Sequence, residues 1–172
     1  MRVKLVLSLA LVAGCGEGGK TAPSFGVPIS GGTMLVTKAG THAVIADPDR
    51  DRILTVDLAT GSIVAEIPLT ASDEPGRLIE DGAGRIHVAL RRGGDLLTLA
   101  SPTSTEIAAR RHICAEPRGL AWDAAADTVH VACTSGELVS FPAAGGTATR
   151  TLHLDRDLRD VIVSNGQLVV TR

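Results

Sequence analysis

The chain has 172 residues and a formal charge of −2, and 44% of its residues are hydrophobic while only 2% are aromatic. This length suits one globular domain, and a core built from aliphatic and β-branched side chains favours β-sheets. The near-neutral charge and the small aromatic set (Phe25, Trp122, Phe141) exclude a basic nucleic-acid face and a base-stacking platform, so no nucleic-acid partner is expected.

Residues 1–14 have the pattern of an export signal. Arg2 and Lys4 precede a short apolar run, which is far shorter than the roughly 20 residues that cross a bilayer. The run ends in Leu11-Val12-Ala13-Gly14-Cys15, which resembles the lipobox of bacterial lipoproteins. The resemblance implies a lipoprotein signal peptide, lipidation of Cys15 and attachment to a membrane through it. An uncleaved anchor and an ordinary secretory signal are the alternatives.

Residues 15–31 are predicted to be a flexible tether, since glycine and proline are frequent in them. Because residue 16 is not aspartate, the lipoprotein resemblance implies the outer membrane, or a position that faces the periplasm, in a bacterial cell envelope. The segment from Gly14 to Thr21 fits a phosphate-binding loop pattern, but Pro23 follows at once and no helix is predicted after it. No cofactor is therefore predicted.

The sequence repeats itself with a period of about 42 residues. Ala43-Val44-Ile45-Ala46 corresponds to Ile86-His87-Val88-Ala89 and to Val129-His130-Val131-Ala132, each 43 residues further along. From Thr33 onward, short apolar strands alternate with turn residues and show no helical periodicity. The predicted fold is all-β, with four-stranded antiparallel sheets and no significant helix.

Four strands on such a period are typical of β-propeller blades, whereas a β-sandwich or a small barrel does not demand the repeat. We predict a partial β-propeller at residues 32–172, with blades at about 33–70, 75–115 and 117–155 and a half blade at 158–172. Three and a half blades do not close a ring of four to eight. We therefore interpret the chain as part of a longer propeller, and its unpaired last strand predicts possible self-association through this open edge.

The repeat also resembles a known family. The segment from Ala46 to Gly61, with Val64-Ala65-Glu66-Ile67, Glu74-Pro75 and Arg85-Ile86-His87-Val88-Ala89, resembles the YVTN-type repeats of bacterial and archaeal propellers, which are close to NHL repeats. The resemblance covers about residues 33–172. Such loose repeats identify a fold and not an activity.

The combined interpretation is a membrane-anchored binding or scaffold lipoprotein that presents loops to an unknown protein or a small anionic ligand. Its alternative is a fragment of a larger periplasmic propeller enzyme, or of a propeller joined to a redox domain, whose catalytic part is absent. No catalytic residue is predicted. An inert fragment is a third hypothesis.

Three arginines recur where the innermost strands begin, namely Arg77, Arg118 and Arg159, each 41 residues apart. A row of guanidinium groups at a channel mouth would bind a carboxylate or a phosphate through charge-assisted hydrogen bonds. The alternative is structural, with each arginine paired to a nearby acid such as Glu74, Glu116, Asp157 or Asp160.

Cys114 and Cys133 are an even pair of thiols in an exported chain, which predicts a possible disulfide; two buried free thiols are the alternative. No metal site is predicted. The segment from Asp47 to Asp51 lacks the glycine and glutamate of a calcium loop and is interpreted as a turn. His87 and His130 occupy equivalent strand positions, which indicates blade architecture and not a metal pair.

Overall fold

The computed structural model describes residues 32–172, and within that range it contains fourteen β-strands and no helix. The predicted signal peptide, the tether and the lipidated Cys15 lie outside the described residues. They remain predictions.

The strands form three four-stranded sheets and one two-stranded sheet, each antiparallel and in chain order. The first sheet contains β1 (Met34–Val36), β2 (His42–Asp47), β3 (Arg52–Asp57) and β4 (Ile63–Pro68). The second contains β5 (Pro75–Glu80), β6 (Ile86–Leu90), β7 (Asp95–Leu99) and β8 (Ala109–His112). The third contains β9 (Pro117–Asp123), β10 (Thr128–Cys133), β11 (Glu137–Pro142) and β12 (Arg150–His153), and the last contains β13 (Asp160–Ser164) and β14 (Gln167–Thr171).

The all-β fold with four-stranded blades is thus confirmed, including the half blade at the end. The Asn165-Gly166 turn joins β13 to β14 with positive φ angles of 50° and 72°, the backbone that a two-residue hairpin of this twist requires. The outer strand of the second sheet is short, since only Ala109–His112 pairs with β7. The loop before this strand contains an internal hydrogen bond, which the backbone N of Ser101 donates to Oγ of Ser104.

The core consists of three aliphatic clusters, one between each pair of successive sheets. Ile53 and Leu97 are buried between the first and second sheets, Leu96 and Val131 between the second and third, and Leu158 lies in the cluster against the last hairpin. Each sheet except the terminal ones therefore has two buried faces, which explains why the central strands are almost continuously apolar.

Two histidines lie inside the sheets and bond to hydroxyl groups on the adjacent strand. The contacts of His87 fit a neutral ring that donates from Nε2 to Oδ2 of Asp81 (3.0 Å) and accepts at Nδ1 from the Thr98 hydroxyl (3.0 Å). In the third sheet, Nδ1 of His130 lies 2.9 Å from Oγ of Ser140. The recurrence reflects blade architecture, as the sequence indicates.

Contacts also join sheets that are not neighbours. The ammonium group of Lys38, in the first sheet's β1–β2 turn, lies 3.9 Å from the ring centroid of Trp122 in the third sheet. The same group donates to the carbonyl oxygen of Asp81 at 2.9 Å. Arg77 of the second sheet forms an ion pair with Asp160 of the last. The inner ends of the sheets are thus connected across the arc.

The two ends of the arc expose apolar side chains. On the first sheet, Met34 and Ile63 are 62% and 60% exposed, and on the last hairpin Val169 is also exposed. Within residues 32–172, β14 pairs on one side only, with β13. This is the unpaired edge that the sequence predicts, and self-association through it stays a prediction.

Candidate functional site

The three recurrent arginines lie where the first strands of the second, third and fourth sheets begin. Arg77 is in β5, Arg118 is in β9 and Arg159 immediately precedes β13. We call these three side chains, together with Asp160, the inner-edge cluster. The backbones meet closely here, because a Cβ on Gly119 would lie 2.6 Å from the Cα of Asp160. Glycine at position 119 therefore lets β9 and β13 approach.

Arg77 is committed to an ion pair inside the protein. Its Nη2 atom bonds to Oδ2 of Asp160, and both side chains are largely buried, with 14% and 12% exposed. The other carboxylate oxygen of Asp160 accepts from the backbone N of Val161 at 2.8 Å. This arginine therefore holds the second sheet to the fourth.

The other two arginines pair with acids of the links that precede their own strands. Nη2 of Arg118 lies 3.5 Å from Oε2 of Glu116, and Nη2 of Arg159 lies 2.6 Å from Oδ1 of Asp157. All three arginines thus have the carboxylate partners that the structural interpretation predicts. Ligand binding by this row stays a prediction, and the pairing means that an anion would compete with internal carboxylates.

Arg118 nevertheless keeps unused hydrogen-bonding capacity. Its Nε atom is buried and has no hydrogen-bond partner among the described residues. Its partner Glu116 is itself shared, since Oε2 of Glu116 accepts from the Thr134 hydroxyl at 3.0 Å. A buried donor without an acceptor costs free energy, so a small anion placed against Arg118 would be favoured.

Arg91 is a neighbour of this cluster that the repeat does not reveal. It lies in the turn between β6 and β7, and its side chain covers Gly76, where an added Cβ would lie 3.1 Å from Cδ of Arg91. Its buried Nε also has no hydrogen-bond partner in the described part of the chain. The only signal for Arg91 in the sequence is Gly76, because a larger residue at position 76 would displace the Arg91 side chain.

A disulfide joins the link before β9 to the end of β10, beside this cluster. The sulfur atoms of Cys114 and Cys133 are 2.02 Å apart. Cys114 precedes β9, and Cys133 ends β10 beside the start of that strand, where it pairs with Pro117. The bond therefore constrains the short segment that carries Glu116 and Arg118.

The segment from Asp47 to Asp51 is a turn that anchors the following link. The Asp51 carboxylate accepts from the backbone N of Ser72 at 2.7 Å and of Glu74 at 2.8 Å, and these bonds lower the pKa of Asp51. Asp47 pairs instead with Arg50 and Arg52. Among residues 32–172, no group of three or more His, Cys, Asp or Glu side chains is arranged to hold a metal ion.

No protein-family model matches the chain, and no curated protein sequence matches it. Among solved structures, the chain is similar to a streptogramin B lyase, with a TM-score of 0.69, 14% identity, and 84% of this chain and 49% of that chain covered. It is also similar to catalytically inactive H270A virginiamycin B lyase from Staphylococcus aureus with quinupristin (TM-score 0.68, 12% identity, 80% and 47% covered). A third similar structure is the β-propeller domain of Myceliophteria thermophila Cps50 (Swd1), with a TM-score of 0.61, 15% identity, and 75% of this chain and 45% of that chain covered. The fold is that of β-propeller blades.

At these identities the likeness shows the fold alone. The chain spans less than half the length of each of these three structures. Within residues 32–172, no helix has the length and apolar character needed to cross a membrane.

Proposed function

We propose that the chain is a membrane-anchored binding module of the bacterial cell envelope, in which the inner-edge cluster and the neighbouring Arg91 bind a small anion. The observation that carries the proposal is the pair of buried Nε atoms, on Arg91 and Arg118, which have no acceptor among the described residues. The disulfide and the Arg77–Asp160 pair fix the backbone around them. A fixed set of donors binds an anion without the entropic cost of ordering loops.

Phosphate is expected to stabilise the purified full chain, and the Arg118→Ala substitution is expected to abolish that effect. At a phosphate concentration ten times the Kd, binding adds about 1.4 kcal/mol, or roughly 3–6 °C in Tm for a chain of this size. Differential scanning fluorimetry in phosphate against chloride, at matched ionic strength, measures the shift. Succinate tests a carboxylate anion in the same way.

Arg92→Ala is the matched control, because the Arg92 side chain is 69% exposed and pairs with Glu74 at 3.3 Å. It should keep the full phosphate shift. Anion binding at this cluster is refuted if neither anion stabilises the parent chain, or if the Arg118→Ala variant retains the shift.

Lipidation is the second part of the proposal, supported by the Leu11-Val12-Ala13-Gly14-Cys15 segment. In a bacterial host, labelled palmitate is expected to enter the parent chain and the Cys114→Ser variant, but not the Cys15→Ser variant. The latter should also leave the membrane fraction, because a lipid chain contributes about 0.8 kcal/mol per buried methylene. Equal labelling of parent and Cys15→Ser chains would contradict the anchor.

A second candidate function is that of one part of a larger propeller enzyme. It is favoured because the chain covers less than half of each similar structure, and two of these structures are lyases. The reading frame after Arg172 discriminates the two candidates. Further blades with a haem-attachment motif or a cluster of acids lining the channel would support the enzyme. A stop codon followed by an unrelated gene would contradict it.

A further inference from the structure

A groove of about 450 Å³ lies away from the inner-edge cluster, at the outer rim of the interface between the second and third sheets. Its apolar lining includes Ile113, Val139 and Phe141. The loop after β11 borders the groove at Gly146. The charged side chains in its lining are Arg111 from β8 and Glu137 from β11, together with His112 if protonated.

Arg111 has no carboxylate within 4.0 Å among residues 32–172. Its guanidinium carbon lies 5.3 Å from the ring centroid of Phe141, and Nη1 donates to the carbonyl oxygen of Gly146 at 3.2 Å. Its Nε atom is buried and has no acceptor in the described part of the chain. An aromatic face and one carbonyl are weak substitutes for a counterion.

The preceding residue on the same strand, Arg110, has carboxylate partners, whereas Arg111 has none within residues 32–172. Arg110 faces the other side of the sheet, where it bonds to both carboxylate oxygens of Asp73 at 2.7 and 2.8 Å and to Asp95 at 2.5 Å. These bonds raise the pKa of Arg110, whereas burial, together with repulsion from Arg85, lowers the pKa of Arg111. The groove therefore contains a partly desolvated cation that lacks a counterion in the described chain.

We propose that this groove is a second ligand site, which binds a small aliphatic monocarboxylate. The ligand carboxylate lies against the guanidinium group of Arg111 and supplies the counterion that this group does not have among residues 32–172. The aliphatic body of the ligand covers the apolar side chains of Val139 and Phe141. This site shares no residue with the inner-edge cluster, so it goes beyond the anion site already proposed.

Glu137 gives the site its preference for a single charge. It lies four residues before Phe141 on β11, or about 13 Å along the strand, and therefore at the other end of the groove. A hydrogen bond from the Ser135 hydroxyl lowers the pKa of Glu137, so this side chain is ionised at neutral pH. A ligand with a second carboxylate would be repelled there.

Sodium hexanoate is the probe that tests the site, with adipate and hexanamide as the dianionic and neutral comparisons. We expect hexanoate, titrated into the ¹⁵N-labelled full chain at constant ionic strength, to shift the Nε–H signal of Arg111. Adipate should bind at least about threefold more weakly, and hexanamide at least about tenfold, because a hydrogen bond to a charged group contributes about 1.5–3 kcal/mol.

Arg111→Met is expected to weaken hexanoate binding at least about tenfold, as measured by calorimetric titration. It should leave Tm unchanged or raised, because it removes a desolvated cation that has no internal counterion. A purely structural arginine would instead lower Tm when replaced. Arg150→Met is the matched control, since Arg150 precedes the groove residue Thr151 and faces the opposite side of β12. It should bind hexanoate like the parent.

The proposal is overturned if hexanoate does not bind the parent chain, if Arg111→Met binds it equally well, or if hexanamide binds the parent chain as tightly as hexanoate does. Phosphate stabilisation that depends on Arg118 is a separate readout. Failure at one site therefore does not imply failure at the other.

Discussion

Replacing Asp81 with alanine is expected to lower the free energy of unfolding by about 3–5 kcal/mol, because it removes four hydrogen bonds to a buried carboxylate. The carboxylate is almost fully buried, and its Oδ1 atom accepts from the backbone N atoms of Ala83 (2.9 Å) and Arg85 (3.0 Å). Oδ2 accepts from Nε of Arg85 at 2.6 Å and from Nε2 of His87 at 3.0 Å. The substitution leaves a fully buried imidazole N–H without an acceptor, which is the main origin of the loss.

Urea denaturation at neutral pH measures the effect. Asp123→Ala is the matched control, because Asp123 is the corresponding acid of the third sheet and accepts from the backbone N of Ala125 at 2.9 Å. It makes no hydrogen bond to His130, so its loss should cost within about 1 kcal/mol. Similar losses for both variants would show that the buried Asp81–His87 contact contributes little.

The same network determines how stability depends on pH. Burial lowers the pKa of His87 and of His130 from the usual 6.5, although Asp81 opposes this at His87. Below pH 6.5 the two histidines bind protons in the unfolded chain before they do so in the folded chain. Their contribution to stability is therefore fully present above pH 6.5, and it is lost as the pH falls through their lower folded pKa values. For Asp81, burial raises the pKa but the hydrogen bonds from His87 and Arg85 outweigh it, so its contribution is lost only below about pH 3.8.

Removing the disulfide through the Cys114→Ser/Cys133→Ser double substitution is expected to cost about 3 kcal/mol. The two cysteines are 19 residues apart, and closing a loop of that length restricts the unfolded chain by this amount. Both positions are also buried, so the serine hydroxyls add a smaller penalty. Urea denaturation of parent and variant gives the difference.

Reductant provides the control for this prediction. It should destabilise the parent by a similar amount and leave the double variant unchanged, since Cys15 is the only other cysteine. Mass spectrometry should show a gain of two hydrogen masses on reduction. Alkylation of Cys114 or Cys133 before any reductant is added would contradict the bond.

The repeat predicts the sheets well because each blade is built from local pairings, in which consecutive strands meet across short turns. Ion pairing between Arg159 and Asp157 is also local and follows from the sequence. By contrast, the partner of Arg77 is Asp160, 83 residues away, and this choice depends on how closely the sheets approach at the inner edge.

The two arginines that sequence reasoning missed illustrate the same limit. Arg91 comes from a turn outside the repeated strand positions, and its relevance arises only because it lies over Gly76. Arg111 is adjacent to Arg110 and is chemically identical to it. Only the alternation of strand faces, which sends one towards Asp73 and the other into the groove, makes one a structural ion pair and the other a candidate ligand contact.

In solenoid repeat proteins each repeat contacts only its sequential neighbours, so one repeat can unfold without the others. Here the Lys38–Trp122 contact joins the first sheet to the third, and the Arg77–Asp160 pair joins the second to the fourth. Opening any one sheet therefore disrupts a contact with a sheet beyond its neighbour. The expected outcome is a single cooperative thermal transition, in which this short arc melts as one unit and not blade by blade.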